Sequence, residues 1–373
     1  MIDLSVVIVN HNSANYAVPC ARSVLESLDG SGAIDSVELV VVDNDSEPLD
    51  RERLDGLPAR ARVVETGSNL GYGGGANVGF RKSRGRLLCL LNPDLLVLPG
   101  AIDRMARHAL DNPGVGAVGP RTFLDEERTV QHPLNRRKRL KDLLRAVFAL
   151  RSPQRARAES LRSTRFALPF WRAREPRTIA MLSGACLVIP RRTLEKVGGF
   201  DPRFHLYFED DDWCRRVGRA GLDLVYLPNA EIVHFFNMSV RKLDREKAMR
   251  EHARSERKYF GRSFGPIGAA AGVLLSRAFR RSVGRLATSP PWPIEDLGRP
   301  ESPPTFQSPA GEGPFLVEIA GTPFFEYSAS AIPERPAFRL PDGLFGRLAP
   351  GTYFVRILGL ESLDVRRVWR FEK

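Results

Sequence analysis

The first hundred positions alternate between short unbroken apolar runs and apolar residues at helical spacing. Residues 5–10, 37–42 and 86–91 are almost continuously apolar, which suits strands buried on both faces, and residues 62–65 give a shorter strand. Ala17, Ala21, Val24, Leu25 and Leu28 mark a helix after the first run; Ile102, Met105, Ala106, Ala109 and Leu110 mark another after the fourth. Successive β-α units of this kind imply a parallel sheet with right-handed crossovers. Further on, residues 179–190 read as a strand through Ser183-Gly184-Ala185, and residues 191–197 as a short helix stopped by Gly198-Gly199. Strands at 222–227 and 231–236 follow, then a charged helix at 244–259 and a more apolar one at 267–279.

The pattern changes twice. About residues 133–177 the chain is crowded with arginine, with an amphipathic set at Leu140, Leu143, Leu144, Val147, Phe148 and Leu150. Pro290, Pro291, Pro293, Pro300, Pro303 and Pro304 then mark a linker at 289–310 that cannot fold alone. Beyond it, strands at 315–319, 337–340, 352–358 and 365–371, parted by Pro-Gly and Pro-Asp-Gly turns, predict a small β-sandwich-like domain over 311–373. The expected organisation is an α/β domain over 1–265 carrying the basic insertion, a helix at 266–288, the linker and the β domain.

Composition sharpens this picture at three points. A formal net charge of +12 over 373 residues asks for an anionic partner. The basic insertion has two readings: adsorption to an anionic membrane surface, or a solvated insertion whose apolar face packs on the protein. No nucleic-acid-binding motif accompanies it, so no nucleic-acid partner is expected. Cys20, Cys89, Cys186 and Cys214 are scattered without metal-ligand spacing and read as reduced core thiols. With no signal-peptide pattern and no apolar run long enough to span a bilayer, the expected location is cytoplasmic, with peripheral attachment to the inner membrane face as an option.

Three clusters carry candidate chemistry. Asp43-Asn44-Asp45-Ser46 and Asn92-Pro93-Asp94 follow buried strands, where open α/β sheets bind ligands. The glycine-rich stretch after the third strand contains G-x-G-x-x-A from Gly71, a dinucleotide fingerprint in the wrong β-α unit, which keeps an NAD-dependent oxidoreductase as a rival reading. Its small residues would let backbone approach a nucleotide. Glu209-Asp210-Asp211-Asp212 sets four carboxylates before a helix, and their repulsion needs a proton, a cation or open solvent.

Taken in order, Ser5-Val6-Val7-Ile8-Val9-Asn10-His11-Asn12, Val42-Asp43-Asn44-Asp45-Ser46, Asn69-Leu70-Gly71-Tyr72-Gly73-Gly74-Gly75-Ala76-Asn77, Leu91-Asn92-Pro93-Asp94, Ser183-Gly184-Ala185 and Phe208-Glu209-Asp210 resemble a bacterial family 2 glycosyltransferase of the rhamnosyltransferase-like branch. The resemblance covers roughly residues 1–260. It implies a GT-A-type nucleotide-sugar-binding fold, Rossmann-like with a mostly parallel sheet, ahead of the small all-β domain.

It also implies roles. Asp43 would recognise the base of a nucleoside diphosphate sugar, and Asn10, Asn69, Gly74, Asn77 and Asn92 would line the donor. Asp94, with His234, would hold a divalent metal, Mg2+ or Mn2+. Asp210 would be the general base of an inverting transfer, Glu209 would position the acceptor or neighbouring backbone, and Asp212 fills a second frequent acidic position of the family. Asp211 stands where the family often has an apolar residue, and Asn237 where it usually has glycine. The implied reaction moves a sugar, best matched by rhamnose from dTDP-rhamnose, to a cell-envelope glycan or polyprenyl-linked acceptor. A non-catalytic glycan- or nucleotide-binding protein of the same fold is the alternative.

Overall fold

The computed structural model describes residues 2–235, 245–288, 290–308 and 314–373. The chain runs β1 (Leu4–Asn10), α1 (Ala14–Ser27), β2 (Val37–Asp43), α2 (Pro48–Glu52), β3 (Ala61–Glu65), α3 (Gly71–Lys82), β4 (Leu87–Leu91), β5 (Leu95–Val97), α4 (Ala101–Asp111) and β6 (Val115–Phe123). Next come α5 (Leu140–Ala149), α6 (Pro153–Trp171), β7 (Arg177–Thr178), β8 (Cys186–Pro190), α7 (Arg191–Val197), α8 (Glu209–Arg219), β9 (Asp223–His234) and α9 (Arg245–Thr288). The last part contains β10 (Glu295–Asp296), β11 (Thr305–Gln307), β12 (Phe315–Ala320), β13 (Ala329–Ala331), β14 (Ala337–Arg339), α10 (Asp342–Arg347), β15 (Thr352–Gly359) and β16 (Val365–Glu372).

Two compact units divide these elements. Unit 1 holds residues 1–122, 135–137 and 174–269; unit 2 holds 123–134, 138–173 and 270–373. In unit 1 the strand order is β3-β2-β1-β4-β8-β6-β9-β5, with β7 on β9. Strands β3, β2, β1 and β4 are parallel, as the β-α alternation predicts. Strand β8 turns antiparallel to β4, and β5 runs antiparallel to β9. Every residue of β1 and of β4 is buried, because helices cover both faces of the sheet centre. Two predicted strands, 222–227 and 231–236, are one continuous strand to His234; residue 236 lies outside the described residues. The segment Ser183-Gly184-Ala185 is a turn, and only Cys186–Pro190 is strand.

Unit 2 departs further from expectation. The C-terminal strands form a five-stranded sheet, β10-β16-β15-β12-β13, and a two-stranded ribbon, β11-β14. Alternation along β12 explains what covers each face. Phe315, Val317 and Ile319 pack with Phe306, Phe338, Leu344 and Phe345 of the ribbon and α10. Leu316 packs instead with Ala167 and Trp171 of α6. The module is therefore a sheet between a small ribbon and a helix, and the basic insertion supplies that helix.

The contact with α6 includes charge. Glu318 and Arg356 stand opposite each other across β12 and β15, both buried, with Arg356 Nη2 2.7 Å from Glu318 Oε2. Thr164 and Ser160 of α6 bind the pair at 2.7–3.2 Å, so the hydroxyls of the helix and the ion pair satisfy one another. A buried ion pair is tolerated when the remaining donors and acceptors are met in this way. Part of the proline-rich stretch is also built in: Trp292 is buried with Phe325, Phe354 and Val368, and β10 and β11 lie within it.

Candidate active site

The sheet of unit 1 gathers the polar clusters at the carboxyl ends of β1, β2 and β4. Asn10 and Asp43 are paired residues at the ends of parallel neighbours, and Asn10 Nδ2 lies 3.2 Å from Asp43 Oδ1, 3.0 Å from Ser46 Oγ and 3.1 Å from Asp50 Oδ2. The second Asp43 oxygen accepts from Arg51 Nε at 3.2 Å. Asp50 also accepts from the Ala14 backbone N–H, capping α1. Asn44, which carried no assigned role, ties this corner to the glycine-rich loop: its Oδ1 accepts from Leu70 N and its Nδ2 donates to Gly71 O. Asn69 Oδ1 accepts from Gly71 N, and its Nδ2 meets His11 Nε2 at 3.1 Å. Asn10, Asp43 and Asn69 thus share one corner.

The glycines do not face an open nucleotide cleft. A Cβ at Gly71, where φ is +74°, would stand 2.1 Å from the His205 carbonyl oxygen. Gly73 abuts Phe200 and Glu209, while Gly75 and Gly79 lie against Val9 and Val7 of β1. Their smallness lets α3 sit tightly on the sheet and on the chain before α8. With that space filled by the protein itself, the dinucleotide-fingerprint reading fails. Gly74 faces Leu70 of its own turn, and Asn77 donates to the Phe200 carbonyl at 2.7 Å while accepting from Phe200 N at 2.9 Å. In this structure both residues, which the resemblance expects to line the donor, pack and clamp the protein itself.

Asp94 and His234 meet because β5 and β9 are antiparallel neighbours, with Leu95 opposite His234. Asp94 Oδ1 lies 3.4 Å from His234 Nε2, and both side chains are buried. A carboxylate oxygen and an imidazole nitrogen converging in this way fit a divalent ion that takes its other ligands from a diphosphate and water. Among the described residues no group of three or more His, Cys, Asp or Glu side chains could hold a metal by itself. Asn92 leads to this pair, and its backbone N–H donates to the Ala185 carbonyl at 2.8 Å. Asn237 lies outside the described residues.

The acidic run opens α8, whose amino end favours negative charge. Tyr207 and Phe208, at φ of 66° and 69°, turn the chain sharply into the helix. This left-handed backbone is held by the Phe208 ring, 5.3 Å from Tyr259 and 5.2 Å from His252. The four carboxylates then point to different surroundings. Asp210 is half-buried; its Oδ2 accepts from Gly184 N at 3.1 Å and its Oδ1 from Asp211 N at 2.8 Å. Burial raises its pKa against these two backbone donors. Glu209 is buried, and its Oε2 has no hydrogen-bond partner among the described residues. Burial, then the neighbouring Asp210 charge, pushes Glu209 up to about 8.

Asp211 accepts from the Tyr259 hydroxyl at 2.9 Å and lies 3.8 Å from Arg137 Nε. Asp212, fully buried, pairs with Arg215 at 3.1 Å and with Arg216 and Arg262 at 2.9 Å each. Asp212, which the resemblance puts at a second frequent acidic position, is thus held by three guanidinium groups in the first turn of α8.

Tyr72 is the residue the motifs concealed. Its hydroxyl donates to the Gly184 carbonyl at 2.7 Å, so the Gly184 peptide is held between Tyr72 and Asp210. Burial, followed by the charges of Glu209, Asp210 and Asp94, raises the phenol well above its usual range. The signal available in sequence was a lone aromatic inside a glycine run.

The family model described as glycosyl transferase family 2 matches residues 5–197, about half of the chain, and the protein belongs to that family. It is similar to the N-acetylglucosaminyl-diphospho-decaprenol L-rhamnosyltransferase of Mycobacterium tuberculosis (strain ATCC 25618 / H37Rv), at 32% identity over 223 residues, or 53% of this chain and 66% of that one. The chain thus spans slightly less than two thirds of that relative. Over 80 residues it is 31% identical to the rhamnosyltransferase WbbL of Escherichia coli (strain K12), covering 21% of this chain and 30% of that one. Among solved structures, a mannosyltransferase from Pyrobaculum calidifontis in complex with GDP-Man and Mn2+ matches over 78% of each chain at 18% identity and a TM-score of 0.42. The fold is of the GT-A type, with all-strand sheets toward the carboxyl end.

Proposed function

We propose that unit 1 transfers a sugar from a nucleoside diphosphate donor to an acceptor hydroxyl with inversion at the anomeric carbon. One observation carries the reading: Asp210 is a half-buried carboxylate oriented by two backbone N–H groups, beside a Glu209 that holds its proton near neutral pH. Burial raises Asp210 as well, and as the base it acts in its ionised form. As the acceptor oxygen attacks the anomeric carbon, its proton passes to Asp210 and the bond to the diphosphate oxygen breaks. Asn10, Asp43 and Asn69 form the corner that would receive the nucleotide, next to Asn92. Asp94 and His234 would hold Mg2+ or Mn2+, which when bound offsets the charge on the leaving diphosphate.

Rhamnose from dTDP-rhamnose is the favoured donor, and a polyprenyl-linked or other cell-envelope glycan the favoured acceptor. The names of the partial relatives support this choice. A panel of nucleotide sugars, each offered with Mg2+, with Mn2+ and with a chelator, tests the reading. Turnover of one donor that stops on chelation is expected. Donor binding without turnover across acceptors would favour the binding-protein alternative, and turnover indifferent to chelation would remove the metal from the scheme.

A further inference from the structure

Unit 2 presents a helical surface that the transfer chemistry does not use. Helix α5 buries Leu143, Ala146 and Ala149 and turns the opposite face, Lys141, Leu144, Phe148 and Arg151, to solvent. Leu144 is 44% and Phe148 45% exposed, and the Arg151 guanidinium lies over the Phe148 ring at 4.5 Å. Helix α6 exposes Phe166 beside Arg162 and Arg165. The part of α9 that belongs to unit 2 exposes Leu274, at 65%, on the side that carries Arg277 and Arg281. These three helices are neighbours: Leu150 after α5 and Ala156 of α6 pack around Phe324 with Phe279 and Val283 of α9.

The charges on this surface differ from those elsewhere. Arg145 is paired with Glu159, and Arg172 with Glu361. Among the described residues no carboxylate pairs with Lys141, Arg162, Arg165, Arg277 or Arg281. We propose that this α5-α6-α9 surface of unit 2 docks on the headgroup region of an anionic lipid bilayer. Arginine and lysine heads meet lipid phosphates while leucine and phenylalanine enter the boundary with the acyl chains, so the two contributions add. A nucleic acid would match the cations but leave Leu144 and Leu274 in water.

The proposal is independent of the transfer reaction and has its own test. The full chain is sedimented with vesicles of phosphatidylcholine alone and of phosphatidylcholine mixed with phosphatidylglycerol, at low and at high salt. Binding confined to the mixed vesicles and weakened by salt is the expected result. The pair Arg162→Glu, Arg165→Glu should lower the partition coefficient about tenfold or more, and Leu144→Ser with Phe148→Ser should lower it severalfold. Each variant is melted alongside the parent, and Leu274→Ser on the separate helix serves as a third probe should either pair unfold. Absence of binding to the mixed vesicles, or well-folded variants that bind as the parent does, overturns the proposal. A DNA gel shift at physiological salt without vesicle binding would overturn it in favour of nucleic acid.

Discussion

Glu209 and Asp210 differ from Asp211 and Asp212 above all in the groups that face them. The first two stand against the Gly184 peptide and α3, where no cation meets them among the described residues, and both are harder to ionise than usual. Asp211 and Asp212, one hundred-degree step further round the helix each, meet Tyr259, Arg137 and three arginines. Four like charges in a row are therefore two devices. One half of the turn fixes α8 to its surroundings so that the other half can be held short of counter-charge, which is the condition for a base that works near neutral pH.

Substitutions on the two halves should separate activity from stability. Asp210→Asn is expected to cost roughly 10²–10⁴-fold in turnover with the melting temperature unchanged or raised, measured by initial rates and thermal melts. An Asp210→Asn enzyme that retains the parent rate would move the base elsewhere. Asp212→Ala should do the reverse, destabilising the fold by about 3–5 kcal/mol because the buried Arg215 loses its carboxylate and Arg216 and Arg262 lose the partner they share with it; denaturant unfolding reads this directly.

The third probe is pH. The folded pKa of Glu209, about 8, lies above its ordinary 4.5, so the folded state holds this proton more tightly than the unfolded chain does. That contribution is whole below pH 4.5 and is lost as pH rises through about 8. Glu209→Gln, neutral throughout, should flatten the fall in melting temperature across that window and melt above the parent at its alkaline end. A parallel slope in the two proteins would show that Glu209 is ionised at neutral pH. The smallest effect belongs to Tyr259→Phe, about 1–3 kcal/mol from leaving Asp211 without its hydroxyl donor. It sharpens the comparison because turnover per folded molecule should change far less than in Asp210→Asn.

Much of the molecule was legible in the chain. The parallel core followed from apolar runs alternating with helical sets, and the polar corner from residues placed just after β1 and β2. Family resemblance pairs Asp94 with His234, and the antiparallel β5 and β9 bring them to 3.4 Å. The glycine run misled, since a small residue looks the same whether the atom close to it belongs to a nucleotide or, as at Gly71 and Gly79, to His205 and Val7. The basic insertion left two readings open for a related reason. Amphipathic spacing from Leu140 to Leu150 shows that a helix has a face to bury but not what buries it.

Period, turn chemistry and motif order are local properties, and by themselves they determined the strands, the β-α order and the set of residues from which a site could be assembled. Partnership is not local. Thr164 meets Glu318 across 154 positions, and Tyr259 meets Asp211 across 48. Only the tertiary structure decided that α6 completes the C-terminal sheet and which carboxylates of the acidic run are neutralised, because a charge is set by whatever stands opposite it in space.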